Sequence, residues 1–228
     1  MSTLIAIETS TESCSAALLR DGSLIERSEL APRRHAELIL PMIDSLLAES
    51  GVSRRQLDAI AVGRGPGAFT GVRLAISVAQ GLALGLDIPV VPVSSLAALA
   101  QDAPAKAGAS ILAVIDARMG EVYAGLYRRA NGLVEAIGEE SVGQAHELVL
   151  TRTDSVVGTG WAVYAEVLAS RLPAAPLFAD GARYPQARAI AQLSAPLFAA
   201  GPSVAPEQAL PVYLRDKVAL TLREQRAR

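Results

Sequence analysis

"LIAIETSTESCSAALLRDGSLIE", Leu4 to Glu26, decides the fold because the chain states its plan twice. "ILAVIDARMGEVYAGLYRRANGLVE", Ile111 to Glu135, follows the same order: an apolar strand ending in an acid, a short polar loop, a second strand, a turn ending in glycine, and a strand closing on an acid. Asp116 answers Glu8, and Gly132 answers Gly22. Later "VVGTGW", Val156 to Trp161, echoes "AVGRGP", each a strand running into Gly-x-Gly ahead of a helix. Identity between the copies is weak but the order is kept, which marks an internal duplication.

Around these repeats the local signals are consistent. Asp21-Gly22 accepts the positive φ of a tight reverse turn and predicts a hairpin, so the chain opens with three strands. From His35 to Glu49, Leu38, Ile39, Met42, Ile43, Leu46 and Leu47 recur at helical spacing up to Gly51, with Pro41 expected to kink or break the run. "LDAIAVG" reads as a buried strand, "FTGVRLAISVAQGLALG" as a helix, "IPVVPV" as a short strand, and "SSLAALAQ" as a helix capped by Ser94 or Ser95. The turn-rich "DAPAKAG", Asp102 to Gly108, marks a boundary, giving a first lobe over 1–103 and a smaller one over 104–228 whose tail is expected to pack back on the first. Three antiparallel strands followed by helix–strand alternation in each half predict two mixed sheets facing a cleft. Beyond "PQARAIAQLSAPLFAAG", a helix, the reading thins to an extended "LPVYLRD" and a frayed terminal helix.

Composition narrows the function classes. At 228 residues and 51% hydrophobic, the chain has material for substantial cores. A net charge of -2 with no basic block gives no long-range pull toward nucleic acid. Its single cysteine, Cys14, forms no internal disulfide and reads as a small strand residue; with no export signal at the start, the cytoplasm is expected. The apolar run "VRLAISVAQGLALG" is interrupted by Arg73 and Gln80 and falls short of the ~20 residues of a spanning helix, so no membrane role is expected.

The glycine-rich "VGRGPGAFTG", Val62 to Gly71, invites nucleotide readings. No lysine follows to meet β- and γ-phosphates, which removes the P-loop. Gly63, Gly65 and Ala68 match a dinucleotide fingerprint in form, yet the next strand ends in serines and three strands precede the glycines, which makes this a minority reading. The loop "ETSTES", Glu8 to Ser13, is either a phosphate- or metal-holding loop or an ordinary hairpin connection; the matching acid at Asp116 tilts toward an ancestral site. His35 and His146 are far apart, so no transition-metal site is expected, and no Gly-x-Ser-x-Gly elbow supports a serine hydrolase. Arg73, Ser77 and Gln80 form a thin polar stripe on an otherwise apolar helix, which must therefore be covered on more than one side.

"GRGPGAFTGVR" together with "IDARMGEVY", supported by "HAELILPMID", "IPVVPVSSL", "VGTGW" and "PVYLRDKVA", resembles the TsaB (YeaZ) family over nearly the whole chain. The resemblance implies an α/β fold of two actin-like lobes, of the Hsp70 and sugar-kinase kind, with mixed sheets flanked by helices. It implies a non-catalytic subunit that heterodimerises with the transferase TsaD, recruits the ATPase TsaE, pairs with itself when alone and meets tRNA only through the complex, which modifies N6 of the adenosine beside the anticodon. TsaD carries a histidine pair on its first helix and an Asn-His segment; this chain keeps only His35 and has "PVSSL" instead, so the metal-dependent chemistry does not carry over. Carried onto this sequence, the interface candidates are His35, Leu38, Met42, Leu46, Phe69, Thr70, Arg73, Ile76, Ser77 and Gln80. Glu8, Thr9, Ser10, Gly63, Gly65 and Gly67 are the candidates for nucleotide or phosphate loops, with no cofactor required by this chain and ATP or ADP placed at the complex interface. The alternatives are a nucleotide-hydrolysing enzyme of the sugar-kinase type and a glycoprotease-like peptidase.

Overall fold

A computed structural model describes residues 2–215; the expected terminal helix lies outside them. The chain opens with β1 (Thr3–Glu8), β2 (Ser13–Arg20) and β3 (Ser23–Leu30), followed by α1 (His35–Ser50), β4 (Ala59–Gly63), α2 (Phe69–Leu86), β5 (Val90–Val93) and α3 (Ser95–Gln101). The second half contains β6 (Ser110–Arg118), β7 (Glu121–Ala130), β8 (Leu133–Ala136), β9 (Ser141–Gln144), β10 (Ser155–Val157), α4 (Thr159–Arg171), β11 (Phe178–Asp180) and α5 (Ala187–Ala200).

The duplication is visible in the pairing. One sheet has the order β3-β2-β1-β4-β5 and the other β8-β7-β6-β10-β11. In each, an antiparallel meander is extended by parallel strands. Asp21 and Gly22 close the first hairpin at φ 51° and 82°, Asn131 and Gly132 the matching one at 50° and 81°, left-handed values that Asn, Asp and Gly tolerate. The copies differ after the third strand: where the first half has α1, the second has the short β9, paired with β7.

Strand alternation sorts the core into layers. Ile5, Ile7, Ile60 and Val62 point to the face covered by α1 and α2, where Ile39, Ile43, Leu46, Ala75, Ile76 and Ala79 meet them. Their neighbours Leu4, Ala6, Ala59 and Ala61 point the other way, into a cluster with Leu96, Leu99, Ile190 and Leu193 of α3 and α5 and with Ile111, Ala113 and Ile115 of the second sheet. Leu112, Val114 and Val156 face outward onto Leu168 of α4.

The helices are exchanged between the halves: α3, from the first, packs on β6, β7 and β8, whereas α5, from the second, packs on β1, β2 and β4. Ser94 caps α3 by accepting from the Leu96 and Ala97 amides at 3.1 and 3.2 Å. At its other end the buried Arg129 guanidinium donates to the Ala100, Gln101 and Ala103 carbonyls. After α5 the chain returns to the first half, where Val90 bridges to Val204 and the Val212 amide donates to the Arg64 carbonyl at 2.9 Å.

Two local expectations are corrected. α1 runs unbroken through Pro41, whose exposed ring sits away from the buried stripe while the surrounding apolar contacts hold the turn. α2, at 18 residues with mean hydropathy 1.4, is long and apolar enough by composition to cross a membrane, because Phe69 to Gly71 extend the run; here Val72, Ala75, Ile76, Ala79 and Ala83 lie in the core.

Candidate functional site

The loops after β1 and β4 meet at the ends of their parallel strands, and the glycines are what let them touch. The Ala68 amide donates to the Ser10 carbonyl at 2.7 Å, and the Thr9 hydroxyl donates to the Gly71 carbonyl at 2.7 Å. A Cβ at Gly67 would collide with Ser10, and one at Gly71 with the Thr9 backbone. Gly63 leaves room for the Glu8 carboxylate. Gly65 sits at φ +87°, where a Cβ would press on the Val72 side chain. The freedom that a phosphate cradle requires is thus filled by protein.

Glu8 is fully buried. Oε1 accepts the Ser10 amide at 2.6 Å and Oε2 accepts the Ser95 hydroxyl at 2.7 Å. Burial pushes its carboxyl above the ordinary range, against the lowering effect of these hydrogen bonds. Glu8 therefore straps the ends of β1 and α3 together. Thr9 and Ser10 are also fully buried. Of the six loop candidates, Glu8, Thr9, Gly63 and Gly65 are engaged inside the protein, while Ser10 and Gly67 line the interlobe cavity. Cys14 is buried too, and desolvation raises its thiol to about 11, away from nucleophilic use.

The matching acid in the second half is tied differently. The Asp116 carboxylate accepts the Arg118 amide at 2.9 Å and its guanidinium at 2.8 Å, and Arg118 reaches across to Glu12 at 3.1 Å. Arg118 and Met119 both adopt positive φ, 65° and 58°, in the turn that aims Arg118 at the first loop. The repeated loops are thereby joined across a cavity of about 740 Å³. Its walls include Thr11, Val72, Ile115, Tyr123, Val163 and Tyr184, with the first turns of α2 and α4 opening onto it. Arg73 lines it with its guanidinium near the rings of Phe69 and Tyr213 and donates to the Phe69 carbonyl at 3.1 Å, with no carboxylate partner among the described residues.

The interface candidates divide. Leu46 and Ile76, 0% and 3% exposed, are core residues and present no surface to a partner, which corrects their place in that set. Helical spacing identifies an apolar face but not which part of a broad face looks inward. Gln80 donates to the Ala209 carbonyl at 3.1 Å, so the stripe carries the returning chain at this point. His35 Nε2 meets the Thr11 carbonyl at 2.8 Å. Leu38 and Met42 are half-buried against the α1–α2 core, while Phe69, Thr70 and Ser77 are exposed. Sequence reasoning missed Leu40 and Leu84, exposed at 47% and 73%; both stand off the buried stripes, and that was the available signal.

Residues 27–221 match the family described as "TsaD: tRNA N6-adenosine threonylcarbamoyltransferase". The chain is similar to tRNA threonylcarbamoyladenosine biosynthesis protein TsaB of Escherichia coli K12, 42% identical over 95% of this chain and 96% of that protein. The Haemophilus influenzae protein of the same name is 39% identical over 95% of this chain and 94% of its own length. Among solved structures, YeaZ from Pseudomonas aeruginosa superposes with a TM-score of 0.86 at 47% identity, covering 94% of this chain and all of that one.

Proposed function

The chain belongs to the TsaB (YeaZ) family of tRNA threonylcarbamoyladenosine biosynthesis proteins, and from that premise we propose that it is a non-catalytic subunit that holds and activates a TsaD-like transferase. The observation that carries this reading is that Leu40 of α1 and Leu84 of α2 stand in solvent although both helices are already anchored in the core on their other side. A helix pair apolar on two sides fits a second helix pair, from the transferase or from another copy of this chain. Recruitment of a TsaE-like ATPase follows from the same assembly, with tRNA held by the complex in the cytoplasm and any ATP or ADP at the subunit interface.

The sealed loops support a structural role for the ancestral site. Glu8 is enclosed, and both carboxylates at the cleft, Glu12 and Asp116, are engaged by Arg118. Among the described residues lining the cleft, a sugar-kinase-like or peptidase reading finds no free acid.

Reconstitution tests the proposal. The purified chain, a TsaD-like transferase, a TsaE-like ATPase, the threonylcarbamoyl donor and unmodified tRNA are combined, and modified adenosine is measured with and without this chain. Modification is expected to depend on it and to fall when Leu84→Glu replaces wild type; equal modification in its absence refutes the role.

A further inference from the structure

The lobes are joined twice, through a shared core and by a stretch of chain that crosses their cleft. In the core, Leu4 and Ala6 of the first sheet belong to one apolar cluster with Ile111 and Ala113 of the second, a joint held by close packing. In the cleft lies the returning chain, of which Val212, Tyr213, Leu214 and Arg215 line the cavity. We infer that residues 209–215 are a latch that holds the two lobes at one fixed opening, with Arg215 as its catch.

The latch is seated on the first lobe at three points. Gln80 of α2 donates to the Ala209 carbonyl at 3.1 Å, the Val212 amide donates to the Arg64 carbonyl at 2.9 Å, and the Tyr213 ring centroid lies 4.8 Å from Arg73 Cζ. It grips the second lobe through one side chain. The Arg215 guanidinium donates to the Ala117 carbonyl at 3.0 Å and to the Glu121 carboxylate, closing on the turn between β6 and β7. Three residues of chain from Val212 to Arg215 reach at most about 10 Å. Wider separation of the lobes at this rim therefore requires one of the two anchors to release.

The other tie across the cleft is weaker. Arg118 meets Glu12 at 3.1 Å with its own side chain 73% exposed, where water and salt screen the pair. Arg215 and Glu121 are only 23% and 28% exposed, so their charges are screened less. Of the two ties, the returning chain carries the lock. Its effect extends to α2, because Gln80 and Arg73 seat the latch on that helix while Arg215 fixes it to the second lobe.

Single-molecule energy transfer on the full-length chain tests the latch at concentrations too low for self-association, so its failure leaves the subunit reading standing. Dyes are attached at Ala48→Cys of α1 and Ala169→Cys of α4, both exposed positions, while the buried Cys14 stays unlabelled. With the latch intact, one narrow distance population is expected. Arg215→Met and Glu121→Gln are each expected to broaden it. In both, the Val212 amide is expected to exchange at least about tenfold faster, as loss of one charge-assisted contact implies, with the Ala75 and Ala79 amides of α2 unchanged. Arg118→Gln is expected to leave the population narrow. Two or more populations with the latch intact overturn the inference. So do an unchanged distribution in Arg215→Met and Glu121→Gln whatever the amide rates, faster exchange at Ala75 and Ala79, which would make Arg215 a general prop of the fold, or broadening by Arg118→Gln alone.

Discussion

Gly71→Ala and Gly81→Ala place the same methyl group in the same helix and are expected to move stability in opposite directions. Outside its contacts, alanine gains up to about 1 kcal/mol over glycine in a helix interior. Around Gly81 nothing among the described residues outside its own stretch of helix lies within 4 Å of the added carbon, so that gain is expected in full. At Gly71 the added carbon would sit 3.2 Å from the Thr9 carbonyl carbon and nearer still to its oxygen, both backbone atoms that cannot swing aside. The Thr9–Ser10 segment would have to retreat, at an overpacking cost of roughly 1–3 kcal/mol. The 2.7 Å bond from the Thr9 hydroxyl would go with it, about 1 kcal/mol more. Set against the helical gain, the net loss is about 1–3 kcal/mol, and Tm falls by several degrees at roughly 2–4 °C per kcal/mol for a chain of this size. Urea unfolding and thermal melts of the two variants decide the matter. A Gly71→Ala chain as stable as Gly81→Ala would mean that the first loop does not rest on α2, and that the glycines have another purpose.

Other consequences are open to measurement. Glu8 carries a carboxyl raised above its ordinary 4.5, so the folded chain retains that proton to higher pH than the unfolded one. The associated stability is complete below about 4.5 and is lost as pH rises through the raised value. Stability of wild type minus Glu8→Gln, measured by denaturant titration, should therefore decline across that window, and a difference independent of pH contradicts it. Leu84→Glu should alter stability by no more than about 0.5 kcal/mol while abolishing association in light scattering, whereas Leu46→Glu should unfold the chain. Met119→Gly should stabilise by roughly 0.5–1 kcal/mol in a thermal melt, because it relieves a positive φ on a side chain 74% exposed; a destabilised variant would mean that Met119 makes contacts that matter.

The duplicated strands were legible because alternation, Asp-Gly and Asn-Gly turns and strand-final acids are local signals. The exchange of α3 and α5 was not, since "SSLAALAQ" and "ARAIAQLSAPLFAA" state only that they are apolar, not which sheet each covers. The glycine loop was found and its use left open. Whether a glycine makes room for a ligand or for a neighbouring carbonyl depends on Thr9 and Ser10, about sixty positions away. Leu46 and Ile76 were drawn to the interface for a similar reason, because a broad apolar face does not state its own orientation. The replacement of a second α1 by β9 carried no periodicity strong enough to read.

The helix exchange also sets an order of events during synthesis. When the ribosome has delivered β1, β2 and β4, the inner face of their sheet, including Leu4, Ala6, Ala17 and Ala61, still awaits α5, which ends at Ala200. The first half of the chain therefore emerges with an uncovered apolar wall and holds it until α5 arrives. Two copies of an ancestral unit have become mutually obligate, and a stop codon after the first would yield an aggregating fragment rather than a smaller protein.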